Sequence, residues 1–356
     1  MARRRSSRTT KIQPAVERMV FSPNDPIDVA SAGPGIVPGR ATYYIDLSQC
    51  ASLVNRRFYR QGIQWAVSSI RLSTTAVDRN GVEYIQSQKG KVTVSKLPST
   101  WILSNSWEKS FRSWQRMIKN ATDESGMQSV KGKFLDFKIF MDSKHHSTLY
   151  GFGKNLVPQD LAGNKAVLGQ WQPSEFEIPD IGGSTTVTSY DIIAVGPNYP
   201  GPGASGKDAV SIVRGYADSR SLPSPIDPNV PADANLNWML ALFNDGSEQD
   251  TEVIIDLEND GNNPPYPFEG DLAGNPDTMY PGGETNLPSL QIHSRELMTG
   301  TTVGNQTYLN GGTFPCGLLR IDIENYDGTY LMVPEITIDL VPGTHRGYLC
   351  ESMTEM

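Results

Sequence analysis

Three kinds of stretch in this chain carry residue types at spacings that could do chemistry. In GPGASGKD, Gly201, Gly206 and Lys207 satisfy the G-x-x-x-x-G-K spacing of a phosphate-binding loop. The next position must be Ser or Thr to ligate magnesium, and Asp208 instead puts a carboxylate where a phosphate would sit. The following AVSIVRGY alternates like a strand where the motif needs a helix N-terminus. This stretch therefore reads as a Gly-Pro turn between two strands. In DLENDGNN, Asp256, Glu258, Asp260 and Gly261 begin like a calcium loop, but the twelfth position, which should be a bidentate Glu, is Pro267. An EF-hand is excluded. Asp256, Glu258 and Asp260 remain candidates for a looser structural Ca2+ site shared between neighbouring subunits. The third kind is basic. The opening MARRRSSRTTKI holds Arg3, Arg4, Arg5, Arg8 and Lys11 with no acid among them, and NRRFYR sets Arg56, Arg57 and Arg60 around Phe58 and Tyr59.

Nothing else assembles a reaction centre. His145 and His146 are adjacent, which gives no metal-ligand spacing and reads as a surface pair; His293 and His345 stand alone. Cys50, Cys316 and Cys350 form no C-x-x-C, and an odd count suits a reducing compartment. There is no G-x-S-x-G elbow. The 39 acids always offer carboxylate pairs of the glycosidase kind, without marking one. The expectation is a protein that is not an enzyme and needs no cofactor.

Basic residues become informative once their distribution is counted. The chain carries a formal charge of −8, yet residues 1–133 hold 21 Lys and Arg against 9 Asp and Glu, a balance of +12. The remainder carries −20, and between Ser221 and Ser294 thirteen acids accumulate with no Lys or Arg. Such a molecule has a basic pole and an acidic pole: either two solvated faces that happen to differ, or poles that face different surroundings, one of them a polyanion. The arm has no apolar residue between Ala2 and Ile12, so neither a secretory signal nor an amphipathic transit helix fits. A flexible segment that neutralises phosphates, and that also serves as a nuclear import signal, does.

The elements that must position these residues are mostly strands. Residues 13–40, with five prolines and three glycines, read as a linker, with order beginning near Arg40. Beyond it, about a dozen alternating runs follow, among them ATYYIDLS, QGIQWAVSSIRLST, FLDFKIFMD, NWMLALF, TEVIIDLEN, GLLRIDIEN and TYLMVPEITIDLV. One helix is expected over about 104–121, where Trp107, Phe111, Trp114 and Ile118 share a face, Ser104 or Ser106 caps the start and Gly126 closes the end. Proline-rich, patternless stretches within about 221–310 read as an acidic insertion of long exposed loops. No apolar run is long enough for a membrane span. The fold expected is all-β: a single jelly-roll sandwich over 41–356 with one inserted helix, the loops forming an outward projection, and a disordered basic arm over 1–12.

An Arg/Ser-rich arm, a Pro/Gly linker and a β-rich body with one inserted helix resemble the capsid proteins of small icosahedral viruses. Among these the chain looks like the coat proteins of circular single-stranded DNA viruses of the bacilladnavirus-like group, whose single jelly roll is similar to that of nodaviruses and tombusviruses. TFPCGLLRIDIEN and YLMVPEITIDLVPG resemble the late strands of such a shell domain. The resemblance implies a self-assembling icosahedral shell, a location in the virion and the host nucleus, and packaging of a genome, single-stranded DNA or RNA, through Arg3, Arg4, Arg5, Arg8 and Lys11. Arg56, Arg57 and Arg60 would add inner-wall phosphate contacts or form a subunit contact. The competing reading is a jelly-roll carbohydrate-binding protein or glycoside hydrolase; a third is a nuclear nucleic-acid-binding protein that never assembles.

Overall fold

The computed structural model describes residues 14–23, 26–28, 30–32, 35–37, 39–78, 80–84, 88–126, 132, 135–147, 155–160, 162–167, 171–179, 187–198, 201–221, 238–242, 289–299, 305–327 and 329–355. In chain order its strands and helices are β1 (Arg18–Phe21), β2 (Ala30–Ala32), β3 (Gly35–Val37), β4 (Gly39–Asp46), α1 (Leu47–Asn55), β5 (Ile63–Val77), β6 (Glu83–Tyr84), β7 (Gly90–Lys96), α2 (Trp101–Ser125), α3 (Ser143–His146), β8 (Glu175–Pro179), β9 (Val187–Ile193), β10 (Ala209–Ser211), α4 (Ile212–Ser221) and α5 (Trp238–Ala241). They continue with β11 (Gln291–Met298), β12 (Gln306–Phe314), β13 (Leu318–Asn325), β14 (Leu331–Leu340), β15 (Pro342–Gly343), β16 (Gly347–Tyr348) and β17 (Cys350–Ser352).

Alternating sequences build two antiparallel sheets that face each other. One runs β1-β14-β5-β12, with β6 and β17 added along β5; the other runs β11-β7-β13-β4. Ile321 and Ile323 of β13, Val92 and Val94 of β7, Ile336 and Ile338 of β14 and Ile70 and Leu72 of β5 meet in one buried core between them. Simple alternation along β5 would put Trp65 and Val67 on one face and Ile70 on the other, yet all three are buried. A bulge reconciles them: Ser69 pairs with Asp339 but Val67 with Leu340, so Ser68 is the extra residue and parity flips there. Opposite it, a Cβ on Gly311 would lie 2.2 Å from the Ser68 carbonyl oxygen, so only glycine lets the neighbouring strand pass.

A second core lies beside the sandwich, where α2, α4 and α5 pack on a small sheet of order β10-β9-β8. Helix α2 extends the expected span in both directions: Thr100, not Ser104 or Ser106, is its N-cap and Gly126 ends it at φ 64.

Several sequence readings are corrected. The inserted helix is not alone: α1 follows β4 directly, because Asp46 accepts from the backbone N–H groups of Ser48 and Gln49 and buries Leu47, Cys50 and Ala51 on one side. AVSIVRGYA is only briefly a strand; the Ser211 hydroxyl accepts from the Arg214 N–H, which starts α4 and buries Ile212, Val213 and Tyr216. WMLALF begins as a helical turn, with Trp238 buried against Phe176. FLDFKIFMD is extended but joins the β9 sheet at a single bridge, Phe140 to Ile193. Order begins well before Arg40, because Met19 and Phe21 bury in the core and Arg18 pairs with Asp339. Arg3, Arg4, Arg5, Arg8 and Lys11 of the arm, most of the 221–310 insertion including TEVIIDLEN, and Asp256, Glu258 and Asp260 lie outside the described residues.

Candidate nucleic-acid interface

Of the basic residues singled out in the sequence, Arg56, Arg57 and Arg60 have a defined setting. Arg56 closes α1 in the left-handed region at φ 52 and points the chain back toward the sandwich. Arg57 donates to the Pro14 carbonyl at 3.2 Å, tying the turn to the segment before β1. Arg60 donates to the Leu135 carbonyl at 3.3 Å and lies over the Phe58 ring, 5.5 Å from its centroid. Neither Arg56 nor Arg60, both exposed, makes an ion pair among the described residues. Tyr59 has a different fate: it is buried against Trp65 and Tyr348 and donates its hydroxyl to the Arg346 carbonyl. Phe58 alone of the two aromatics is left at the surface side of the turn.

This turn forms one wall of a cleft of about 750 Å³, whose other walls come from α2, the 135–137 segment and the chain around Arg346 and Ser352. Trp107 and Phe111 stack at 4.9 Å with an 18° interplanar angle, and Trp114 continues the row at 6.4 Å from Phe111. Phe137 packs under the row, 5.5 Å from Trp114. Gly62 makes this packing possible: a Cβ there would stand 2.4 Å from the Trp107 ring. Trp107 is 5% exposed, and its Nε1–H finds no hydrogen-bond partner among the described residues. Three exposed cations, Arg60, Lys119 and Arg346, line the cleft. Of its two acids, Glu108 is paired with Arg112 at 2.6 Å, and burial pushes the Asp136 carboxyl up to about 6. The sequence assigns Trp107, Phe111 and Trp114 to a core face, and they belong to one. That the same face also walls a cleft, with Arg346 reaching it from over 200 residues away, has no signal in the sequence beyond the number of aromatics on one helix.

No family model, curated protein or solved structure matches this chain.

A second concavity, about 730 Å³, lies on the face of the β11-β7-β13-β4 sheet turned away from the core. Its floor comes mainly from the outward half of the alternation, its side from Asp142–Lys144 and Val195, and its acids are engaged. Asp142 accepts from Arg320 at 2.9 Å and from the Tyr44 hydroxyl at 2.7 Å, Asp322 from Thr42 at 2.6 Å, and Glu324 faces Lys91 at 2.8 Å. Its charges largely neutralise one another across the strands, which suits a stiff sheet surface.

The histidine pair is not on the surface. His145 is fully buried, stacked on Tyr44 at 4.2 Å, accepting from the Met141 N–H through Nδ1 and donating from Nε2 to Asn155. Burial lowers its pKa to about 4. His146 is buried too, because the α3 turn tucks both rings under Phe140; its Nε2 meets Asp191 Oδ2 at 2.9 Å. Ser205 donates to the same oxygen, so Ser205, His146 and Asp191 do not form a nucleophilic relay: the hydroxyl serves the carboxylate, not the imidazole. Lys207 is taken up by Glu175, and Gly206 N–H bonds to Gly203 in a tight turn. The phosphate-loop spacing thus resolves into a turn closing over a buried pair, as Asp208 in the Ser/Thr position implies. Among the described residues no group of three His, Cys, Asp or Glu is placed to hold a metal, and no helix is long and apolar enough to cross a membrane.

Proposed function

We propose that this chain is the coat protein of a small icosahedral virus, a single jelly roll that closes into a shell and packages its genome through residues 1–12. The observation that carries this reading is the strand order. A jelly roll with eight strands numbered along the chain sets first, eighth, third and sixth side by side in one sheet, and pairs second with seventh and fourth with fifth in the other. Taking β4, β5, β7, β8, β9, β11, β12 and β13 as those eight gives β4-β13-β7-β11, β5 with β12 and β8 with β9, each of which is present. Among the described residues no ladder joins β8 to β12; β14 and β1 widen the sheet on the other side of β5 instead.

Arg3, Arg4, Arg5, Arg8 and Lys11 supply sequence-blind phosphate neutralisation, and a closed shell concentrates many such arms on one packaged strand. The same residues serve nuclear import of the free subunit. On this reading the thirteen acids between Ser221 and Ser294 belong to the outer side of the shell, away from the genome. The test is electron microscopy and light scattering of the purified full-length protein, beside a form with those five arm residues replaced by alanine, each assayed for co-purifying nucleic acid. Uniform particles that lose their nucleic acid in the alanine form are expected. A monodisperse monomer from both would overturn the reading, and nucleic-acid binding without particles would favour the non-assembling alternative.

A jelly-roll glycan-binding protein or glycoside hydrolase is the second reading. It is favoured by the aromatic cleft and by Asp136, whose carboxyl at about 6 is in the range of a general acid. Glycan binding or hydrolysis by a monomer that ignores nucleic acid would establish it.

A further inference from the structure

Arm residues hold a nucleic acid by charge alone, but the cleft between the 56–60 turn and α2 has a chemistry the arm lacks. Its walls are aromatic, with half-buried Phe111, backed by the buried Trp107 and Trp114, on one side and half-buried Phe58 beneath Arg60 on the other. Arg60, Lys119 and Arg346 line it with three cations, against the carboxylates of Glu108, which is paired with Arg112, and of the largely buried Asp136. An aromatic cleft in which three exposed cations outnumber the acids, one of them already paired, favours a flat, polarisable ligand that carries negative charge. Its volume of about 750 Å³ falls among small-ligand sites.

We propose that this cleft takes a nucleotide of an unpaired strand, its base against the aromatic walls and its phosphate on Arg60, Lys119 and Arg346. A base inside a duplex has both faces covered by its neighbours, so the cleft selects single-stranded over double-stranded nucleic acid and is indifferent to base identity. The identity of the strand as a packaged genome rests on the coat-protein reading; the selectivity of the cleft does not.

The experiment uses the full-length chain with the five arm residues replaced by alanine, so that the arm no longer masks the cleft. Its tryptophan fluorescence is titrated with pentathymidylate, with an abasic phosphodiester of the same length and with a short duplex. Pentathymidylate is expected to quench, and to bind about tenfold more tightly than either competitor. Phe111→Leu, which keeps apolar volume but removes a ring, should weaken pentathymidylate by about tenfold. Arg60→Ala and Lys119→Ala, both on exposed side chains, should each reduce the salt dependence by about one phosphate contact. Equal binding of the abasic strand, or full affinity in Phe111→Leu, would overturn the proposal. So would an Arg60→Ala protein that stops assembling yet binds pentathymidylate normally, because the cleft would then be a subunit contact. Microscopy of the same samples separates the two ideas: particles without base-dependent binding refute the cleft and leave the coat protein, whereas base-dependent binding by a protein that never assembles does the reverse.

Discussion

Replacing Asp136 by asparagine should stabilise this protein at neutral pH and do nothing in acid. Burial lifts the Asp136 carboxyl from 3.8 to about 6, with Lys138 opposing the lift and Asp46 adding to it. A group whose folded pKa is raised binds more protons folded than unfolded across that window, so it stabilises below 3.8 and loses that stabilisation as pH rises through about 6. At about 1.36 kcal/mol per pH unit, ionised Asp136 costs the folded state about 3 kcal/mol at pH 7.5. His145 works in the opposite sense. Burial lowers it from 6.5 to about 4, so the unfolded chain binds the extra proton, and stability falls by about 3 kcal/mol as pH drops through that window. In the native chain the two slopes nearly cancel. An asparagine side chain at this position mimics the protonated acid and can still accept from the Gln61 N–H that Asp136 now holds. Urea unfolding at pH 7.5 and pH 4, followed by tryptophan fluorescence, should show Asp136→Asn more stable than the native chain by about 3 kcal/mol at the higher pH and equal at the lower. His145→Gln gives the mirror image: it loses the Tyr44 stack and is less stable at pH 7.5, but its deficit shrinks by about 3 kcal/mol at pH 4. A difference between Asp136→Asn and the native chain that does not change with pH, or a destabilised Asp136→Asn protein at pH 7.5, would refute the reasoning.

Other perturbations test the framework around the cleft. Asp46 is fully buried and holds the Ser48 and Gln49 N–H groups, the Trp171 indole at 2.7 Å and the Gln61 amide at 3.2 Å. Asp46→Ala should therefore cost about 3–5 kcal/mol in urea unfolding, a lost cap plus stranded buried donors. Gly62→Ala should cost about 1–3 kcal/mol and change the tryptophan emission, because its methyl displaces the Trp107 ring. Of the three cysteines, Cys50 and Cys316 are sealed in and burial holds Cys350 up at about 12. A disulfide thiol reagent at pH 8 should reach at most Cys350, slowly, in the native chain and all three in urea.

Alternation in the sequence made the sandwich strands legible, since LLRIDIEN and LMVPEITIDL each bury every second residue as written. What alternation cannot show is where parity changes. The bulge at Ser68 flips β5 through a mismatch with a strand some 270 residues away, and only the paired structure exposes it. Local hydrogen bonds decided the missed helices: one Asp46 carboxylate and one Ser211 hydroxyl turn apparent strands into helix starts. The arginines of the 56–60 turn were recognisable from composition, but their cleft was not, because Trp107 and Arg346 meet only through tertiary packing. The histidine pair misled for the same reason: His145 is satisfied by Met141 and Asn155, and nothing in the neighbouring residues announces that burial.

The strand order also governs when this chain can fold. β13 sits between β4 and β7, and β14 between β1 and β5, so each sheet takes a central strand from beyond residue 317. As the chain leaves the ribosome, β4, β5 and β7 wait with open edges until those strands arrive, and closure joins segments more than 200 residues apart. Such long-range pairing is slow and leaves apolar edges uncovered in the interval. A product cut short before β13 can complete neither sheet, so a broken message yields debris for proteolysis rather than a partly folded protein.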